Sequence, residues 1–375
     1  MKKVKNILFK MEIKGVGIVN YDGSRQKWVI EDTSLNHMKS FHDNVSYAKK
    51  RFYGTLEDTK FKLAISSDCL RHEIFKKDVP FHTPNVISNE TILTSLIASP
   101  ALLTRGYMLV GEEICYKRKS PLVITHAEQT NDSISYLENF SSSASKNTDK
   151  TKVTSDSTFY KKEVVGDVTY KSNGFIDLMN LQFVSCDQIF DRSSFNPDLF
   201  EIYKKFLQTR IPSFNSELGY YQIKDSTIEI GEYGFKLSND ILIFLVKDLF
   251  KRMISMNIQR KDAYAKTTNL QYKLVYDVIE DTMESEDGWM TIRNESDIEN
   301  LTFNSEDFYV PVDAEKEKEK RVLFELEYQK QKEKKIAERE EEKRKREEKK
   351  RNKSKGSGSK LTENYKEQFN TFDNE

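Results

Sequence analysis

From residue 314 onward this chain has almost nothing with which to build a core. The stretch EKEKEKRVLFELEYQKQKEKKIAEREEEKRKREEKKRNKSKGSGSK is nearly all Glu, Lys and Arg, with no Pro and no Gly before Gly356. Glu340 with Arg344, Glu341 with Lys345 and Glu342 with Arg346 stand four residues apart with the acid first, the better orientation for helix support. This predicts a charged, solvated helix over 314–352, with plain disorder as the rival reading. The few apolar residues, Val322 to Leu326 and Tyr328, lie near its start, and nothing after Ile336 offers a stripe to bury. The polar, Gly- and Ser-containing end, 353–375, reads as a disordered tail. Any packed fold must come from the residues before it.

The charge of the whole chain hides this division. Lys plus Arg and Asp plus Glu each number 60, a formal net charge of zero. Residues 314–375 hold 20 basic and 16 acidic residues, whereas residues 277–313 hold 1 basic and 12 acidic. The first 276 residues therefore keep 39 basic against 32 acidic side chains. A mildly basic body over 1–276, an acidic segment over 277–313 and a nearly balanced tail sum to neutrality, so the average does not exclude a nucleic-acid binder.

Composition excludes other classes. No apolar run approaches the roughly 20 residues that span a bilayer. Cys69, Cys115 and Cys186 are an odd number at wide spacing, and MKKVKNILFKMEIKG is too short in apolar residues for a signal peptide. The expectation is a cytoplasmic protein with reduced thiols, no membrane and no disulfide framework.

Along the body, ILFKMEIKGVGIVNY reads as a strand ending at the turn Asp22-Gly23, with Lys27 to Ile30 returning as a hairpin. TKFKLAI alternates as a strand, and Ser66-Ser67-Asp68 offers caps to the helix CLRHEIFKKD. ETILTSLIASPALL is helical, ended or kinked by Pro100. GYMLVGEE and PLVITHAE are strands, and Ser, Thr, Asn, Asp and Lys dominate 130–157, a mobile loop or hairpin tip. Strands resume through FYKKEVV, DVTYKSNGFIDL and LQFVSC. DLFEIYKKFLQTRI is an amphipathic helix, STIEIGEYGFKL a hairpin, and NDILIFLVKDLFKRMISM a core-facing helix. Intermixed helices and strands without βαβ repetition predict an α+β fold.

The chemistry of an enzyme is hard to find. His37 and His42 lack a third ligand nearby, and His72, His82 and His126 are isolated, so all five read as solvated or capping residues. No CxxC or short Cys-His spacing supports zinc, and the phosphate-loop, dinucleotide and nucleophile-elbow motifs are missing. No metal, cofactor or catalytic residue is expected. Asp22 or Asp68 would serve a ribonuclease, but an aspartate beside a turn is ordinary turn chemistry.

Binding chemistry is better represented. Lys117, Arg118 and Lys119 concentrate positive charge after a predicted strand. Phe159, Tyr160, Lys161 and Lys162 set aromatic faces beside ammonium groups, the combination that stacks and neutralises a single strand. Arg71 is placed on the polar side of its helix and Arg105 at a helix-to-strand corner.

The blocks ILFKMEIKGVGIVNYDG, ISSDCLRHEIF, RGYM, YKRKSPLVITHAEQ and FYKKEVVGDVTYKSNGFIDLMNLQFVSCD together resemble the backbone subunit of class 1 CRISPR effector complexes, the RAMP-type, Cas-seven-like protein that coats guide RNA. Their order is nearest the type IV version, and the resemblance covers roughly residues 5 to 260. It implies a modified RRM, ferredoxin-like palm with inserted finger and thumb segments, 130–157 being the finger or thumb candidate. It implies copies that stack along the crRNA, pair it with target DNA or RNA, and contact other effector subunits. It carries Ser66, Ser67, Arg71 and His72 onto the RNA path, together with Lys117, Arg118 and Lys119. A target-cleaving endoribonuclease subunit and a non-catalytic protein scaffold are the alternatives.

Overall fold

The computed structural model describes residues 2–20, 27–30, 38–41, 45–46, 48–54, 59–78, 89–110, 115–133, 135–145, 155–187, 192–278 and 281–324, with positions 326, 330, 334, 341 and 344. Asp22-Gly23, His37, His42, His82 and the tail over 353–375 lie outside the described residues. Two compact units emerge, Met1–Pro311 and Val312–Glu375.

In chain order the first unit begins with strands β1 (Asn6–Val16), β2 (Lys27–Ile30), β3 (Met38–Phe41), β4 (Val45–Ser46), β5 (Lys50–Gly54) and β6 (Thr59–Ile65). Helices α1 (Ser67–Phe75), α2 (Glu90–Ile97) and α3 (Pro100–Arg105) follow, then β7 (Tyr107–Val110), β8 (Cys115–Arg118), β9 (Leu122–Ile124) and β10 (Ala127–Gln129). Next come β11 (Ser135–Ser145), β12 (Ser155–Val165), β13 (Asp167–Asp177), α4 (Leu178–Gln182), β14 (Phe183–Ser185) and α5 (Phe200–Arg210). The unit closes with β15 (Leu218–Ile223), β16 (Glu232–Lys236), α6 (Asn239–Ile254), β17 (Asn257–Gln259), β18 (Tyr264–Val275), β19 (Met290–Ile292), α7 (Glu295–Glu299) and β20 (Tyr309–Pro311). This is the α+β class that the intermixed pattern predicts.

The main sheet runs β17-β18-β1-β13-β10-β6-β5, with β19 on β18 and β9 on β13, all antiparallel. β1 lies at its centre because Ile7, Phe9, Met11 and Ile13, every second residue, are fully buried. On the neighbouring β18 packs α6, which buries Ile241, Leu242, Leu245, Val246, Leu249, Phe250 and Met253. Close strand approach demands glycine at one point: a Cβ on Gly174 would lie 2.2 Å from the Val123 carbonyl oxygen and 2.3 Å from the Phe9 ring. A second sheet, β14-β16-β15-β20, packs around Phe195, Phe200, Tyr203, Phe214 and Phe235, with Phe195 and Tyr203 stacked at 4.6 Å.

Local signals explain the helix boundaries. The Ser66 hydroxyl accepts from the Cys69 amide and starts α1; the Ser99 hydroxyl accepts from the Leu102 amide and starts α3 with Pro100 in its first turn. Pro100 thus separates α2 from α3. The hairpin expected between β1 and β2 does not form, since β2 pairs with β3 and β1 is taken by β13 and β18. Likewise the hairpin expected within STIEIGEYGFKL forms only its second strand, β16, whose partner is the earlier β15. Of LQFVSC, Leu181 and Gln182 close α4 before β14 begins.

The stretch over 130–157 contains most of a long hairpin, β11 with β12 in eleven paired positions, its tip outside the described residues.

The acidic segment is not a separate element, as the 277–313 boundary expected. β19 extends the main sheet, β20 extends the second, and α7 packs on α6. Its charge has an internal use: Lys251, in the last turn of α6, pairs with Glu295 and Glu299, and the Lys247 ammonium donates to the Glu299 carbonyl. In the second unit residues 314–324 are helical, within the charged helix expected over 314–352.

Candidate nucleic-acid interface

Two of the arginines singled out from the sequence are internal clips, not surface cations. Arg71 does not project from a polar helix face; it donates to the Arg105 carbonyl at 3.2 Å, the Ser120 hydroxyl at 2.5 Å and the Leu122 carbonyl at 3.0 Å. Burial, then the neighbouring Arg105 charge, lowers its pKa. Arg118 is 6% exposed and donates to the carbonyls of Leu103 at 3.1 Å, Phe183 at 2.8 Å, Asn180 at 3.2 Å and Leu181 at 3.3 Å. Both corrections have one cause: the fold brings several carbonyls within reach of one guanidinium, whose fork donates to them at once.

The other predicted residues are dispersed. Ser66 caps α1 and accepts from the Asn20 side chain at 3.3 Å, and the Ser67 amide donates to His126 Nδ1 at 2.9 Å. His72 lies in the last turn of α1 and Asp68 in the first. Arg105 is half-buried at the end of α3, where burial lowers its pKa. Lys117 and Lys119 flank Arg118 and line a cavity of about 330 Å³ with Asn180, Arg192 and Glu232. Phe159, Tyr160, Lys161 and Lys162 lie on β12, their backbone paired with 138–141 of β11.

A more coherent surface lies on the main sheet. The central strands of the main sheet bury one face, and their alternating residues form the other. On β1 these are Lys10, Glu12 and Lys14; on β13, Lys171 and Asn173; on β18, Lys266, Asn269 and Gln271. The register sets them in rows: Lys10 lies opposite both Asn173 and Gln271, Glu12 opposite Lys171 and Asn269, and Lys14 opposite Lys266. Six of them, Lys10, Glu12, Lys171, Asn173, Asn269 and Gln271, surround a depression of about 100 Å³.

Glu12 stands 3.4 Å from Lys14 Nζ, and Lys171 lies opposite Glu12 on β1 and Glu128 on β10. Toward the sheet edge Arg51 pairs with Glu128 at 2.6 Å, and Lys62 lies 5.3 Å from the Tyr53 ring. At the opposite side the acidic segment reaches over: Lys10 Nζ lies 4.0 Å from the centre of the Trp289 ring, and buried Lys273 faces Asp281 at 3.7 Å. Cations for phosphates, amides for base or sugar edges and an indole beside them are the equipment of a single-strand platform. The signal was present in the sequence as Lys10, Glu12 and Lys14 at every second position of a strand whose other positions are apolar.

Among the described residues no group of three or more His, Cys, Asp or Glu is placed to hold a metal ion, and no helix is long and apolar enough to cross a membrane.

No curated protein matches this chain. Among solved structures it is similar to a chain of a "CRISPR RNA-guided surveillance complex" at 10% identity, covering 75% of this chain and 77% of that one, with a TM-score of 0.32. A second, "CRISPR RNA-guided surveillance complex, pre-nicking", shares 8% identity over 71% of this chain and 77% of that one, with a TM-score of 0.34. The model of the family described as "Type I-Fv CRISPR-associated protein Cas7fv-like" matches residues 3–310. The subtype it names is type I-Fv, in place of the type IV version to which the block order is nearest, and the chain belongs to the Cas7fv-like family.

Proposed function

We propose that the chain is a guide-RNA-binding backbone subunit of a CRISPR effector complex, that copies of it line up along the crRNA, and that it supports pairing with target nucleic acid without catalysis of its own. Membership of the Cas7fv-like family over residues 3–310 carries this reading. The polar face of the main sheet supports it, because its lysines and amides suit a sugar-phosphate backbone without selecting a sequence. The strand order β18-β1-β13-β10, with α1 to α3 before β10 and α6 between β13 and β18, fits a ferredoxin-like palm. On that palm the β11–β12 hairpin, bearing Phe159, Tyr160, Lys161 and Lys162, serves as the finger or thumb. Other effector subunits, the crRNA and further copies are the partners.

The test is purification from cells that also express a CRISPR array. The protein should carry RNA of one length, released as salt rises. Protein that emerges free of RNA under these conditions would overturn the proposal.

A further inference from the structure

Trp289 reaches from the edge of the main sheet onto its polar face. It immediately precedes β19, which pairs with β18, and yet its ring centre lies 4.0 Å from Lys10 Nζ on β1, one strand further in. Lys10, Gln271 and Thr291 stand in one row across the three strands, and the Gln271 side chain donates to the Thr291 hydroxyl at 3.3 Å. An indole beside a row of polar residues is not there to fill the core. It is half-buried and keeps surface of its own.

The ring is held in place from both sides. Its Nε1–H donates to the Ser285 carbonyl at 2.8 Å, closing a turn in which Gly288 takes φ +79°. Upstream, the Asp281 carboxylate accepts from the Tyr276 and Asp277 amides at 2.8 and 3.1 Å and faces buried Lys273 at 3.7 Å. Downstream, β19 leads into the capping box of α7. A ring fixed before its ligand arrives loses little freedom on binding. Charge then decides what it can meet. Lys14, Lys171 and Lys266 lie on the central strands, whereas Glu284, Glu286 and Asp287 are exposed on the turn that carries the indole. A phosphate is drawn to the lysines and repelled by the turn, while an uncharged flat base is free to lie against the ring.

We infer that Trp289 is the base-stacking residue of this face, taking one unpaired nucleobase of a single strand whose phosphates lie over Lys171 and Lys266. The inference rests on the proposal that the polar face binds RNA. It adds the residue that meets a base and the side, toward β19, to which that base points.

The experiment titrates the RNA-free full-length protein with oligoadenylate and with an abasic ribose-phosphate strand of the same length. The chain has two tryptophans, Trp28 and Trp289, so Trp28→Phe leaves Trp289 as the sole indole reporter. Its fluorescence should be quenched by oligoadenylate and not by the abasic strand. Trp289→Ala should weaken oligoadenylate about tenfold and leave the abasic strand unchanged, with Trp289→Phe between parent and alanine. Lys171→Glu with Lys266→Glu should weaken both strands alike, because both carry the phosphates. Equal weakening of the two strands by Trp289→Ala would make the ring a structural support. Unchanged or tighter oligoadenylate binding would make it a mere cover for Lys10, and quenching by the abasic strand would remove the base from the contact. Each of these, with the lysine pair still weakening both strands, overturns the inference alone. A lysine pair without effect on either strand would overturn the sheet-face reading and this inference with it.

Discussion

Replacing Arg118 by methionine keeps most of the side-chain volume and removes the guanidinium. Four carbonyls then lose their donor: Leu103 at the end of α3, Asn180 and Leu181 in α4, and Phe183 at the start of β14. A hydrogen bond to a charged group contributes about 1.5–3 kcal/mol, but burying that charge itself costs several kcal/mol, which the substitution returns. Two of the four bonds are also long, at 3.2 and 3.3 Å. The balance is a loss of about 3 kcal/mol, a large share of the ~5–15 kcal/mol that holds an ordinary domain together. Urea unfolding followed by far-ultraviolet circular dichroism should show a lower midpoint with an unchanged slope. Arg118→Lys should not rescue it, because one ammonium cannot span carbonyls on α3, α4 and β14. A methionine variant within about 0.5 kcal/mol of the parent, or full rescue by lysine, would refute the clip.

Three other outcomes follow from the packing. Gly174→Ala forces a Cβ against the Val123 carbonyl and the Phe9 ring, so it should cost about 1–3 kcal/mol, read as a lowered thermal midpoint. Glu73, 4% exposed, holds Lys76 at 2.6 Å and Arg260 at 3.1 Å; Glu73→Gln should destabilise by about 2 kcal/mol in chemical unfolding, less than a fully buried pair because both cations reach solvent. Burial, then the Glu232 charge, pushes the Tyr309 hydroxyl from 10.0 up to about 12. The native state therefore holds this proton more tightly than the unfolded chain, and the stability it contributes is complete below pH 10 and lost as pH rises toward 12. Tyr309→Phe should flatten that alkaline loss in unfolding experiments across the range.

What the sequence revealed was local. The alternation in β1, the run TKFKLAI that is β6, the cap at Ser66 and the break at Pro100 depend on neighbours within a few residues, and they appear where the pattern puts them. Strand partners were another matter. β1 pairs with β13 and β18, far along the chain, so the adjacent β2 was the natural but mistaken partner. The arginines failed for the same reason. Whether Arg71 or Arg118 meets a phosphate or a carbonyl depends on which backbone groups the tertiary fold brings within reach, and no spacing within ISSDCLRHEIF or YKRKS records that. The sheet face was half legible, since Lys10, Glu12 and Lys14 announce one polar strand face, but Lys171 and Lys266 join it only through pairing. The acidic segment was legible only as a run of charge; that Glu295 and Glu299 complete the basic end of α6 and that the Trp289 ring lies beside Lys10 depends on tertiary packing.

On the proposed function, the polar face of the main sheet carries the guide RNA. The direct test is to measure RNA affinity against salt for the parent and for the protein with Lys10→Glu, Lys171→Glu and Lys266→Glu together, each substitution lying on that face and outside the core. Removing three phosphate contacts should weaken binding and make the slope of log affinity against log salt shallower by about 2. An unchanged slope and affinity in the folded triple variant would contradict the claim and move the RNA to another surface of the body.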